Sequence, residues 1–328
     1  MSFVGRGRFR DLLVLTRAPL ALTAVSDAAA GFALALGTTP TWSAHGALLS
    51  TAVLASGSAY LAGMALNDLF DLERDRTLAP HRPLPAGRVT VGEARLVAAL
   101  LLAVSLGAAA FAGRSVIALW VALVLAIIAY DVALKSRRLL GSFAMGSCRF
   151  ANLCLAGAFG VVARGDATGS LIIGASGHPT ALGSLALGSL AYVTGLTLLS
   201  TYEDETLTRR GLVGSGMLLL LGPFNIVAEG LAGPFPKHAL PAFEAWLGLG
   251  LAAALALLVA WRLWLSARAS AGAEGHANTR WLIRGLLLLA GSALCFEGRV
   301  LVAFALLSFV VPMSLGARWL FRPVSSDV

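Results

Sequence analysis

Apolar residues run through this chain in blocks of about 17 to 25, close to the roughly 20 that carry an α-helix across a bilayer. The blocks predict membrane helices at 12–36, 47–67, 91–111, 114–131, 142–163, 182–201, 211–230, 243–264 and 281–297. A tenth apolar run, 300–318, follows a short Glu-Gly-Arg break and is bounded by Arg318 and Arg322. The expected fold is therefore all-α, a polytopic membrane bundle of nine or ten transmembrane helices in a single domain covering 1–328. The connectors alternate in character. The N-terminus and the stretches 68–90, 135–138, 203–210 and 262–280 are rich in Arg and Lys, whereas 37–46, 112–114, 164–180 and 231–242 are poor in them. Arg and Lys collect on the cytoplasmic side of membrane proteins, so the first set is expected in the cytoplasm.

Composition agrees with the pattern. Of 328 residues, 58% are hydrophobic and 13% charged, and the mean hydropathy is +0.81. A soluble domain carries about a quarter charged residues. The net charge of +8 would suggest nucleic acid in a soluble protein. Here the basic residues sit in short connectors, the ordinary topology signal, and no nucleic-acid partner is expected. Cys148, Cys154 and Cys295 lie inside apolar blocks without metal-ligand spacing and read as small buried hydrophobes. The apolar run behind the basic N-terminus is longer than a signal-peptide core, so a retained first helix is expected.

One stretch breaks the apolar pattern with regularity. From Asn67 to Gly87 the chain reads N-D-L-F-D-L-E-R-D-R-T-L-A-P-H-R-P-L-P-A-G. If the preceding helix continues, Asn67, Asp71 and Asp75 share one face at steps of four, with Asp68 beside it. Carboxylates gathered so closely repel one another unless they share a cation. Pro80, Pro83 and Pro85 then force a turning loop, where Arg82 adds positive charge.

Other polar residues are candidates for the same chemistry. Arg17 in the first helix either snorkels to the cytoplasmic surface or faces an internal anion. Asp27 lies deeper and needs a partner that the sequence does not name. Tyr130 opens Y-D-V-A-L-K-S-R-R, whose Lys135 and Arg137 are either topology determinants or phosphate contacts. Arg149 and Asn152 share a face of the fifth helix, where an arginine requires a polar cavity or an internal partner. Tyr202, Glu203, Asp204 and Glu205 form a second acidic cluster, read either as a solvated helix end or as metal ligands.

Two acidic clusters on one side of the membrane, ringed by arginine and lysine, suit magnesium complexed to a diphosphate. Mg2+ prefers oxygen ligands and shares them between carboxylate and phosphate. An apolar tail would lie among the helices. The clusters by themselves also suit an ion path. No zinc spacing, P-loop, dinucleotide fingerprint or Ser–His–acid arrangement is present.

The run Asn67, Asp71, Asp75 followed by Arg82-Pro83-Leu84-Pro85 and Gly87 closely resembles the first signature of the UbiA superfamily of intramembrane prenyltransferases. Arg17, Pro19, Tyr130, Lys135, Asn152 and the helix spacing extend the likeness over most of the chain. The resemblance implies a helix bundle around a lipid-open cavity in a bacterial inner membrane. It implies Mg2+ as cofactor, an isoprenyl diphosphate as donor and an aromatic or other nucleophilic acceptor of unknown identity. Asn67, Asp68, Asp71, Asp75, Glu203 and Asp204 are then expected at the metal and diphosphate, and Arg17, Arg82, Tyr130, Lys135, Arg137, Arg149, Asn152 and Tyr202 around the substrates. The second signature departs from the usual D-x-x-x-D: four residues beyond Asp204 stands Thr208, and beyond Glu203 stands Leu207. That departure, with C-R-F-A-N in helix five, is similar to the EboC-type branch. Two alternatives accompany the enzyme reading, namely an isoprenoid-diphosphate binder without transferase activity and a membrane transporter.

Overall fold

The computed structural model describes residues 3–37, 42–165, 170–174, 179–202, 208–232, 242–268 and 275–320. Helix α1 (Phe3–Leu15) leads through a 3-10 turn at Ala18–Leu20 into α2 (Ala21–Leu36). Then come α3 (Trp42–Phe70), the short α4 (Leu72–Leu78), α5 (Val91–Ala112), α6 (Arg114–Ala129) and a π-helical turn at Tyr130–Leu134. The chain continues with α7 (Arg138–Ala163), α8 (Ala181–Ser200), α9 (Arg209–Ala232), α10 (Ala242–Arg268), α11 (Gly275–Phe296), α12 (Val300–Leu307) and α13 (Val310–Leu320). Among the described residues there is no strand, only an isolated bridge between Ile173 and Pro179.

Ten segments among the described residues are long and apolar enough to span a bilayer. The protein is a multi-pass membrane protein. The tenth is the run left open by the sequence: α12 and α13 together cover Val300–Leu320, with a turn between them. The first helix differs from the uninterrupted 12–36 expected. It breaks after Leu15, and the apolar span is Ala18–Leu36. Pro19 explains part of the break, because it has no N–H to bond the carbonyl of Leu15 four residues back and its ring crowds that carbonyl. Arg17 completes it by adopting a left-handed backbone, φ 48°, the one non-glycine residue among those described to do so.

Burial ranks the helices. In α8, 78% of the apolar window is enclosed, against 17% for Arg114–Leu134 and for Val300–Leu320, so α8 is central and these two are peripheral. Helices α7, α9 and α11 pack around α8, α2 lies between α3 and α7, and α10 closes against α9 and α11. Lipid offers helices no hydrophobic reason to associate, so close backbone approach at small residues takes over. A Cβ at Gly160 of α7 would stand 2.5 Å from the Phe32 carbonyl oxygen and 2.9 Å from the Ala35 Cβ of α2. Glycines 188 and 222 bring α8 and α9 together in the same way.

Gly160→Ala is expected to destabilise the protein by about 1–3 kcal/mol, the usual cost of overpacking a tight contact. Gly107→Ala on α5, where an added Cβ meets nothing within 4 Å, is the control and should leave stability unchanged or slightly raised. Denaturant or thermal unfolding of the detergent-solubilised protein compares the two.

Candidate active site

The acidic motif keeps its face although its helix does not run straight. α3 ends at Phe70, and Asp71 (φ −90°, ψ 1°) caps α4. The i−4 hydrogen bonds nevertheless cross the junction: the Asp71 amide donates to the Asn67 carbonyl at 2.9 Å, and the Asp75 amide to that of Asp71 at 2.7 Å. Asn67, Asp71 and Asp75 therefore stay in register. The proline-rich loop then folds back on itself, with the amides of Arg88 and Val89 both donating to the Pro83 carbonyl. Leu84 and Val89 are buried in a small cluster with Leu15 and Ala94, which anchors the loop beneath Arg82.

Each carboxylate in this region has a cation. Arg82 reaches Asp75 at 2.5 Å and Asp68 at 3.6 Å. Arg17, aimed by its left-handed backbone, reaches Asp68 at 3.4 Å. Lys135 lies 2.8 Å from Asp71 and 3.9 Å from Asp131, and Asn67 donates to Asp131 at 2.8 Å. Four carboxylates thus face three cations, leaving one negative charge in excess. Lys135 follows the π-turn, whose wider coil lets its amide bond the Tyr130 carbonyl five residues back; such turns are frequent at functional sites.

Below this cluster lies a cavity of about 340 Å³, at the small end of ligand pockets, which run from about 300 to 1,000 Å³. Its walls come from α2, α3, α6, α7, α8 and α11 and are mostly apolar, including Leu123, Ile127, Val193 and Leu286. Arg17, Asn67, Tyr130 and Asp131 stand at one end. Thr23, Arg149 and Asn152 form a second polar group farther in. There Arg149 Nε meets the buried Asp27 at 2.5 Å, and its terminal nitrogens donate to Thr23 Oγ1 (3.1 Å) and the Thr23 carbonyl (2.9 Å). Asn152 accepts from Ser56 at 2.8 Å and donates to Asp27 at 3.3 Å. One network thereby ties α2, α3 and α7.

The donors around the mouth are all oxygens, the set that Mg2+ prefers. In the arrangement seen, with arginine and lysine against them, no three described Asp, Glu, His or Cys residues are grouped to hold a metal ion. The donor chemistry fits magnesium, and the cations stand where they would have to exchange carboxylate for phosphate.

The UbiA prenyltransferase family matches residues 24–274, well over half of the chain. The chain belongs to that family. Three digeranylgeranylglyceryl phosphate synthases are among its curated relatives: that of Ignicoccus hospitalis, 43% identical over 30% of this chain and 30% of its own length; that of Methanopyrus kandleri, 36% identical over 31% and 39%; and that of Sulfolobus acidocaldarius, 33% identical over 38% and 42%. The chain thus spans about a third of the length of the curated relatives it matches. Solved structures share the fold across nearly the whole chain. A digeranylgeranylglyceryl phosphate synthase superposes with a TM-score of 0.60 at 20% identity, covering 89% of this chain and 99% of that one. A UbiA homologue from Aeropyrum pernix gives 0.55 at 18%, covering 90% and 95%. One from Archaeoglobus fulgidus, solved with GPP and Mg2+, gives 0.56 at 14%, covering 91% and 99%.

In this UbiA-family chain, Asn67, Asp68, Asp71, Asp75, Arg17, Arg82 and Lys135 come together at the mouth, and Tyr130, Arg149 and Asn152 line the cavity. Arg137 is exposed and pairs with none of these carboxylates. Tyr202 does not line the cavity; its ring lies 4.8 Å from the Arg138 guanidinium. Glu203 and Asp204 lie outside the described residues, though Thr197 and Ser200 of the helix leading to them form part of the wall. Sequence reasoning passed over Asp131 and Tyr60, the latter on the cavity wall. The Asp131–Lys135 spacing of four was a usable signal. The partner that Asp27 required is Arg149.

Arg149→Met strands Asp27 inside the bundle and is expected to cost about 3–5 kcal/mol, as breaking a buried pair from one side does. The double variant Asp27→Leu/Arg149→Met removes both charges and should recover most of that loss. Unfolding midpoints of the three proteins in one detergent decide it.

Proposed function

We propose that the chain is a magnesium-dependent prenyltransferase that moves an isoprenyl group from an isoprenyl diphosphate to a nucleophilic acceptor within the membrane. The observation that carries this reading is a set of carboxylates and cations in mutual contact at the mouth of an apolar cavity. Asn67, Asp71 and Asp75 are assigned to the metal, together with Glu203 and Asp204, and Asp68 to the catalytic set beside them. Lys135, Arg82, Arg17 and Arg137 are assigned to the diphosphate. Tyr130, Arg149, Asn152 and Tyr202 are assigned to the organic substrates. Magnesium, when bound, neutralises the diphosphate and weakens its bond to carbon.

In the transfer, the bond between C1 of the allyl group and the diphosphate oxygen breaks, and its electron pair leaves with the oxygen. The acceptor forms a bond to C1, and the proton it loses passes to diphosphate or water. Arg17, Arg82 and Lys135 stabilise the departing negative charge in a site screened from bulk water. The apolar walls around Leu123, Ile127 and Val193 hold the prenyl chain and exclude water, which would otherwise capture the cation.

The acceptor is read as an aromatic or other small nucleophile. The glyceryl phosphate product named for the relatives makes a glycerol lipid the competing class. The C-R-F-A-N run of α7 and the altered second signature support an EboC-type branch. A second reading, binding of an isoprenoid diphosphate without transfer, is favoured by Thr208 standing where the second signature usually has its aspartate. We read 1–328 as one domain of a bacterial inner membrane, with the N-terminus and both acidic stretches cytoplasmic. Arg and Lys in those connectors support this orientation, and an even number of spans returns the C-terminus to the same side.

Membranes containing the protein, supplied with labelled geranyl or geranylgeranyl diphosphate and candidate acceptors, should release diphosphate in a manner abolished by EDTA. Lys135→Met should lower kcat/KM by about 10²–10³, the usual cost of losing one group that stabilises developing charge, and Asp71→Asn by at least as much. Donor binding without any release would instead establish the second reading. For topology, a single cysteine placed at residue 2 or in 135–138 should be blocked by impermeant maleimide only after the cells are opened; labelling of intact spheroplasts would reverse the orientation.

A further inference from the structure

The diphosphate reading accounts for the mouth of the cavity but not for its inner polar group. Among the described lining residues, Arg17, Asp131 and Arg149 carry charge; Arg17 and Asp131 pair within the mouth cluster, whereas Arg149 pairs with Asp27. Ser56, which donates to Asn152 of the inner group, is eleven residues from Asn67 on α3, or about 16 Å at 1.5 Å per residue. An Arg–Asp pair in the wall of a pocket that held only hydrocarbon would be a costly ornament, because polar groups facing CH2 groups lose their hydration without return.

Arginine has five N–H donors. In Arg149, Nε faces Asp27 and each terminal nitrogen gives one bond to Thr23. One N–H remains on each terminal nitrogen of a side chain that borders the cavity. Tyr60 borders the same space within electrostatic reach of both Arg17 and Arg149, and its hydroxyl has no hydrogen-bond partner among the described residues. Donors without partners therefore converge on the inner end, between walls that are otherwise apolar.

Resting on the donor assignment above, we propose that this inner group is the acceptor subsite and that it takes the hydroxyl end of an uncharged alcohol or phenol. The two free N–H groups of Arg149 and the Tyr60 hydroxyl bind the acceptor oxygens. Thr23 keeps the guanidinium turned toward them. Charge selects against a phosphorylated acceptor. Asp27 already balances Arg149, Asn152, Ser56 and Thr23 are neutral, and α8 and α11 bring Val193, Leu196, Ile283 and Leu286 to the cavity. A phosphate placed here would find both nearby cations, Arg149 and Arg17, already paired with carboxylates, in a low-dielectric site. The subsite would thus separate this chain from relatives whose named product is a glyceryl phosphate.

The test uses the full chain in detergent and two matched pairs of probes: 1-O-octylglycerol with its 3-phosphate, and 4-octylphenol with its phosphate ester. Geranylgeranyl thiolodiphosphate with Mg2+ serves separately as the donor probe. Calorimetric titration should show at least one neutral probe binding about tenfold or more tightly than its phosphate, a difference in Kd that one uncompensated buried charge easily supplies. Tyr60→Phe and Thr23→Val, both close in size to the originals, should each weaken the neutral probe about fivefold, as loss of one hydrogen bond does. In turnover they should raise the acceptor KM more than they lower kcat. Phosphates that bind as well as the neutral probes overturn the inference. So does failure of both neutral probes to bind, or neutral affinities that stay within about twofold in both variants. Failure of the donor assignment is seen independently, as absence of magnesium-dependent binding of the thiolodiphosphate.

Discussion

A charge placed among apolar helices must find an opposite charge, and this requirement organises the protein more than any other. Asp27 finds Arg149, Asp68 and Asp75 share Arg82, and Asp71 and Asp131 share Lys135. Each pairing joins segments that lie far apart in sequence or across a turn. The Asp27 pair joins α2 to α7, the Lys135 pair joins the end of α3 to the turn before α7, and Arg17 joins the start of the first span to α3. Helix packing at small residues supplies close contact between these segments. The ion pairs determine which faces meet.

The same rule divides the cavity. At its mouth the carboxylates outnumber the cations, which suits exchange with a metal-bound anion. At its inner end the charges balance, which suits a neutral polar group. Between the two, apolar walls accept a hydrocarbon chain. A single pocket can in this way hold a charged head, an apolar tail and a neutral nucleophile without mixing their environments.

Much of this was legible in the sequence because membrane helices announce themselves by length and hydropathy. The ten apolar runs became helices, and their ends moved by a few residues. The first helix was the exception, since the break at Arg17 depends on a left-handed backbone that hydropathy does not report. The Asn67–Asp71–Asp75 face was readable because four-residue steps survive even the kink at Asp71. Pairings between helices were not readable. Nothing local in Asp27 points to a residue 122 positions away, and nothing in Tyr60 reveals that its hydroxyl lacks a partner. The places of Arg137, which is exposed, and of Tyr202, which lies against Arg138, were not readable either, because a side chain's direction after a turn is set by packing.

The fold-back of the proline-rich loop bears on how fast the mouth can exchange its contents. The Pro83 carbonyl holds the amides of both Arg88 and Val89, and Leu84 and Val89 are buried beneath. The backbone under Arg82 is therefore fixed, while its side chain remains about one-third exposed. Releasing Asp75 calls for rotation of the Arg82 side chain, and releasing Asp68 for that of Arg17 as well, events of picoseconds to nanoseconds rather than the nanosecond-to-microsecond opening of a loop. Exchange of the ion pairs made by Arg82 therefore needs no movement of the backbone that carries it.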